Sequence, residues 1–198
     1  MKILVVGATG TVGAAVVSAL EARHTIISAS RSSEIAVDIR DEQSIIDMYD
    51  RVGTVDAVVS AAGGAPFVRL DEATAADFAR GFEDKLGGQI NLVLHGLPNV
   101  SDRGSFTLIT GVLAREPIST GSISSTVNGG LESFVTAAAA ELPRGLRINA
   151  VSPSVIEESL DKYGEYFPGF AAVSARDVAN AFVKSVEGIH TGRVYTLG

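Results

Sequence analysis

The chain is 198 residues long, 46% hydrophobic, and carries a formal charge of −7. That length suits one domain with one sizeable core, the composition excludes a disordered chain, and the acidic balance argues against a nucleic-acid partner. There are no cysteines, which excludes disulfides, thiol nucleophiles and cysteine metal sites; the three histidines, His24, His95 and His190, lack metal-ligand spacing.

An apolar strand at 2–6 runs straight into Gly7-Ala8-Thr9-Gly10-Thr11-Val12-Gly13 and then a helical pattern at 11–22. Strand, glycine turn and helix start in that order make a dinucleotide cradle. Gly7 turns the chain off the strand, Gly10 lets backbone approach a pyrophosphate, and Gly13 lets the helix pack closely on the sheet. The helix N-terminus then offers free N–H groups to the phosphates. Residues Ile3 to Leu20 carry no charge, close to the length of a membrane span. The glycines and threonines in that run fit the cradle better than a span or a signal peptide. The expectation is a soluble cytoplasmic protein, with no membrane partner and a mature N-terminus at or near Met1.

Further strands are predicted at 25–29 and 35–38, separated by only the five residues Ser30 to Glu34. A parallel crossover normally needs a dozen or more. Either the third strand is very short or this corner has lost its helix. Asp41 is read as the N-cap of a helix at 41–51, before a strand at 55–60. A long helix is predicted at 73–98. Residues Leu86 to Val100 contain no Lys, Arg, Asp or Glu, as in a buried helix or one at an oligomer interface. A strand at 104–110 leads to a helix at 122–142, ended by Pro143 and Gly145. A strand at 146–151, a helix at 174–187 capped by Ser174, and a strand at 193–197 complete the order. There is no internal repeat and no linker. The alternation predicts a single α/β domain over 1–198, with a mostly parallel sheet of about seven strands and helices on both faces.

Several landmarks in this order resemble the short-chain dehydrogenase/reductase family. They are the glycine turn, Asp38-Ile39 after the third strand, and Ser60-Ala61-Ala62-Gly63 where the family has Asn-Asn-Ala-Gly. Gly104 to Thr110, Arg147 to Pro153 and Thr191 to Tyr195 resemble later strands of the family. The Gly-x-x-Gly-x-x-Gly spacing is closer to its extended and atypical branches. The resemblance covers nearly the whole chain and implies a Rossmann-like three-layer sandwich, a nicotinamide cofactor and a small-molecule substrate. It also implies a homodimer or homotetramer through the helices near 73–98 and 122–142. Cofactor contacts are expected from Gly7, Thr9, Gly10, Thr11, Val12 and Gly13, from Asp38, Ile39, Ala61, Ala62 and Gly63, and from Pro153. An acid near the end of the second strand normally holds the ribose of NAD. Here that region reads Ser28-Ala29-Ser30-Arg31-Ser32-Ser33, without an acid. Ser30, Arg31 and Ser32 suit a 2′-phosphate, so NADP is expected in preference to NAD.

The family's catalytic tyrosine and lysine, four residues apart on one helix, have no counterpart. Aligning Gly129-Gly130-Leu131 puts Ser124 at the tyrosine position and Asn128 at the lysine position. Gly111 falls on the catalytic serine, with Thr110 beside it, and Lys85 falls on the asparagine of the central helix. Ser154 stands at the glycine after Pro153, and Glu158 near a later threonine. The candidate catalytic set is therefore Lys85, Thr110, Ser124 and Asn128. Lys85 is read either as a group that polarises a carbonyl or takes over part of the missing lysine's role, or as a surface lysine paired with Glu83 or Asp84. Tyr163 and Tyr166 are read as a phenol source or as lid packing with Phe167 and Phe170, and His95 as a packing or interface residue. The segment from Pro153 to Ser174 is short for the family, which implies an open site or a small ligand. Two functions stay open. One is an NADP(H)-dependent oxidoreductase acting on a small carbonyl or alcohol through a non-standard site. The other is a catalytically inactive NADP(H)-binding sensor or regulatory protein.

Overall fold

The computed structural model describes all of residues 1–198. Seven strands form one sheet: β1 (Lys2–Val6), β2 (Thr25–Ser30), β3 (Ile35–Ala36), β4 (Val55–Ser60), β5 (Val100–Ile109), β6 (Arg147–Pro153) and β7 (Val194–Leu197). Their order is β3-β2-β1-β4-β5-β6-β7, and every neighbouring pair is parallel. The helices are α1 (Thr11–Leu20), α2 (Glu42–Val52), α3 (Ala75–Gly81), α4 (Gly88–Gly96), α5 (Ser122–Glu141), the single turn α6 (Leu160–Tyr163) and α7 (Ala175–Glu187).

The strands alternate between two cores, as a sheet covered on both faces must. From β1, Leu4 and Val6 join Ile45, Met48, Tyr49, Leu92 and Leu131, under α2, α4 and α5. Ile3 and Val5 join Val16, Leu20, Val178 and Phe182, under α1 and α7. Burying one such large side chain contributes roughly 1.5–3 kcal/mol. This is the three-layer Rossmann-like sandwich expected from the sequence. Asp41 accepts from the Gln43 N–H and Ser174 from the Asp177 N–H, so both predicted caps form.

The corner between β2 and β3 holds no helix, and β3 is only two residues long. Ala29 pairs with Ile35 and Ser30 with Ala36. So short a strand asks the chain to return by only one or two residue lengths, which the turn at 31–34 covers. The Ser30 hydroxyl braces that turn, bonding the Ser33 hydroxyl at 2.7 Å and accepting from the Ser32 N–H at 3.2 Å.

The long helix predicted at 73–98 is not continuous. A capping box of Thr74 and Asp77 starts α3, but Phe82–Gly87 winds as a π-helix before α4 begins, and a 3-10 turn follows at Leu97–Asn99. Small residues let this segment press inward. A Cβ at Gly81 would meet Ile123 at 2.6 Å, and one at Gly88 would meet the Ile39 carbonyl at 2.8 Å. Within α4, Gln89, Leu92 and Val93 are buried while Leu94 is 51% exposed, so the uncharged run is part core and part surface.

No helix is long and apolar enough to cross a membrane. The carboxyl ends of β1, β2, β4, β5 and β6 all open on one edge of the sheet. The order reverses between β1 and β4, the position where open α/β sheets leave a crevice for ligands.

Candidate functional site

The crevice holds two adjoining cavities. The first, of about 550 Å³, is lined by Gly7, Thr9 and Gly10 after β1, by Ser30, Arg31 and Ser32 after β2, and by Asp38 and Ile39 after β3. Ala61, Ala62 and Gly63 after β4 close its far side. Eleven of the expected cofactor residues are thus brought together here. Gly7 has φ +84°, and a Cβ there would meet the Ala61 carbonyl at 2.6 Å, so only glycine serves at this turn. Gly10, the N-cap of α1, offers no side-chain cap, and the first turn carries no acid. Its N–H groups remain for an anion. These features fit a dinucleotide.

The other expected cofactor residues are placed differently. Gly13 is buried, where a Cβ would run into the Gly7 carbonyl; it allows packing and does not line the cavity. Thr11 is exposed, on a side chain that does not line either cavity. Val12 and Pro153 line the second cavity. For Thr11, Val12 and Gly13 the cause is helical geometry, because successive residues of the first turn point in different directions; Pro153 stands at the end of β6.

Arg40 also lines the first cavity, and sequence reasoning missed it. Its Nε donates to Asp38 Oδ1 at 2.9 Å and Oδ2 at 3.2 Å. The bond from Arg40 holds the Asp38 carboxyl down at about 2, and the nearby Arg31 charge adds to the effect. Its spacing, two residues past Asp38, was the available signal. Arg31 itself is exposed, so the cavity carries two guanidinium groups beside the turn after β2.

The second cavity, of about 310 Å³, shares Gly63 and Gly64 with the first. Lys85, Thr110, Ser124 and Asn128 all line it, so the four candidate catalytic residues converge. Lys85 pairs with neither Glu83 nor Asp84. Its Nζ donates to the Thr110 carbonyl at 3.0 Å. Desolvation by burial pulls the ammonium down to about 8, against the opposing pull of the Asp84 carboxylate. Lys85 is half-buried as a residue, and that burial is what disfavours its charged form. Asn128 is 3% exposed and its Oδ1 has no hydrogen-bond partner; the buried Ser154 hydroxyl has none either. Both residues line the cavity and leave polar capacity unused there.

Behind Lys85 the end of β5 is clamped. Gln89 donates to the Ile109 carbonyl at 2.8 Å and accepts from the Ile109 N–H at 2.9 Å. Glu132 Oε1 accepts from the Thr110 hydroxyl at 3.0 Å and the Ser152 hydroxyl at 2.9 Å, and Arg115 pairs with the same carboxylate. Glu132 lies one helical turn past Asn128, a spacing the sequence displayed. Glu158 is drawn away from the cavity and accepts from the Ala175 N–H at the start of α7. His95 pairs with Glu42 at 2.8 Å, far from this chemistry. Tyr163 and Phe167 line the second cavity together with Phe67, whereas Tyr166 stacks behind Phe67.

The family model described as enoyl-(acyl carrier protein) reductase matches residues 7–190. The crystal structure of the protein lin1944 from Listeria innocua is 50% identical, with a TM-score of 0.97, covering 99% of this chain and 98% of that one. A crystal structure of a small-chain dehydrogenase is 26% identical, with a TM-score of 0.86, covering 99% of this chain and 95% of that one. Another, of a small-chain dehydrogenase in complex with NADPH, is 24% identical with a TM-score of 0.88, covers 99% of this chain and 95% of that one, and bears on the fold. No curated protein matches the chain significantly.

Proposed function

The chain belongs to the short-chain dehydrogenase/reductase family, and from that premise we propose that it is an NADP(H)-dependent oxidoreductase acting on a small carbonyl or alcohol, with Lys85 as its proton-handling group. One observation carries the reading: Lys85 stands in a cavity that adjoins the dinucleotide cradle, with its ammonium brought down to about 8. An acid with that value exchanges its proton readily near neutral pH.

The glycine turn and the first turn of α1 would hold the pyrophosphate, and Arg31 with Ser30 and Ser32 the 2′-phosphate. Asp38 and Ile39 would border the adenine, and Ala61 to Gly63 the nearer ribose. The nicotinamide, when bound, supplies hydride to a carbonyl carbon or accepts it from an alcohol. Lys85 Nζ gives a proton to the carbonyl oxygen in reduction and takes one in the reverse direction. Asn128 and Ser154 orient the substrate through their unused polar atoms. Thr110, fixed by Glu132, holds the lysine in place.

The first test is the melting temperature with NADPH, NADP, NADH and NAD at matched concentrations, since binding to the folded state raises it by mass action. The expected result is a rise with NADPH and NADP that exceeds the rise with NADH and NAD, and an Arg31→Ala variant that loses this preference. The second is NADPH oxidation with a panel of carbonyl compounds. Lys85→Ala is expected to lose about 10²–10⁴-fold in turnover while still binding NADPH. Binding of NADPH without turnover of any carbonyl would favour the sensor reading, which the serine and asparagine at the family's tyrosine and lysine positions support.

A further inference from the structure

The lining of the second cavity is of two kinds. Lys85 gives it a single donor charge, and Asn128 and Ser154 give it unused hydrogen-bonding capacity. Phe67, Tyr163 and Phe167 give it three rings. No arginine and no carboxylate lines the cavity.

The three rings come from separate stretches, the loop after β4 and the segment that ends in Phe170, and they hold one another. Phe67 stacks on Tyr166 with centroids 5.2 Å apart and planes 19° apart. It meets Tyr163 edge-on at 5.9 Å and Phe167 edge-on at 6.1 Å. Phe167 in turn meets Phe170 at 5.4 Å, with the planes at 89°. Phe67, Tyr163 and Phe167 are each half-buried, so each keeps accessible ring surface. A wall of interlocked rings is already ordered, and a ligand that packs on it loses little to ordering the protein.

We infer that this cavity takes a neutral aryl carbonyl compound, with its ring on the wall formed by Phe67, Tyr163 and Phe167 and its oxygen toward Lys85. The inference rests on the oxidoreductase reading above for the role of the carbonyl, but ring recognition is separable from turnover. An anionic substrate would find one cation and no second charge to clamp it. An aliphatic substrate would gain the area term but not the edge and face electrostatics of a ring on rings. The volume of about 310 Å³ suits one or two fused rings with a short carbonyl substituent.

The test compares two ketones of closely similar shape, acetophenone and cyclohexyl methyl ketone, on the purified full chain saturated with NADP. Binding is read from the shift in melting temperature and from ligand-observed saturation-transfer NMR. Acetophenone is expected to bind about tenfold tighter, the factor that ring–ring contacts supply beyond area. In F67L, which keeps an apolar side chain and leaves the dinucleotide cavity untouched, the preference is expected to fall below about threefold. F167L serves as a second variant should F67L fold poorly. Equal binding of the two ketones, or an undiminished preference in both variants, overturns the inference. Selective acetophenone binding without NADPH oxidation upholds the inference and removes the redox reading. Oxidation of NADPH at equal efficiency with both ketones upholds the redox reading and overturns the inference.

Discussion

Enclosing the Lys85 ammonium removes it from water, and its bond to the Thr110 carbonyl at 3.0 Å replaces only part of that hydration. The result is a folded-state value of about 8 against 10.5 for a free lysine. Between those values the unfolded chain holds a proton that the folded chain has released. Stability therefore rises with pH across that window and is lowest below it, the reverse of a lysine held in an ion pair. Urea unfolding of wild type and Lys85→Met from pH 7 to 10 tests this. The wild type is expected to gain stability relative to the variant as pH rises. A difference that is flat, or that shrinks, would show the ammonium to be hydrated in the folded state. If Lys85 handles the proton as proposed, carbonyl reduction, which needs the ammonium, is expected to fall above about pH 8, and alcohol oxidation, which needs the free amine, to rise there.

At the scale of elements, the caps are the most local of the sequence signals. Ser174 accepts from the Asp177 N–H at 3.1 Å and also donates to the Asp177 carboxylate at 2.8 Å. Ser174→Ala is expected to cost about 1 kcal/mol, read as a lower urea midpoint with an unchanged slope, and Ser174→Thr, whose hydroxyl can both accept and donate, to restore much of it. Such caps were legible because they depend on residues within one turn. So were the strands, whose apolar runs are buried on both faces, and the glycine turn, whose residue types follow from backbone geometry. The π-helix at Phe82–Gly87 was not legible, because its residues suit an α-helix equally well; the glycines that flank it, Gly81 and Gly88, pack closely against Ile123 and Ile39. Nor did the sequence reveal that Lys85 would leave the adjacent carboxylates for the Thr110 carbonyl just past the end of β5. A helical winding change beside a functional side chain is a recurrent pattern. The Glu132 clamp was half legible, since its position one turn beyond Asn128 was on view but its partners Arg115 and Ser152 come from distant segments. The two-residue β3 resolved a conflict that crossover length had raised, through a short return that periodicity cannot register.

At the scale of the molecule, one sheet edge collects turns from five strands, so each cavity draws on residues far apart in sequence. The aromatic wall lines the second cavity, and its rings come from positions 67, 163 and 167. Arg31 and Arg40 line the first cavity together with Asp38 and Asp84, so two cations and two carboxylates meet there, and Arg40 is already paired with Asp38. Gly63 and Gly64 border both spaces, and Gly63 sits against Lys85, where a Cβ on the glycine would approach the lysine Cα at 3.0 Å. This party wall has a thermodynamic consequence. If filling one chamber shifts that wall and alters the hold on the other occupant by some factor, the second occupant must alter the hold on the first by the same factor. Reciprocity of this kind would make each ligand an effector of its neighbour, and the two binding constants, each measured with and without the other ligand, must close a single cycle.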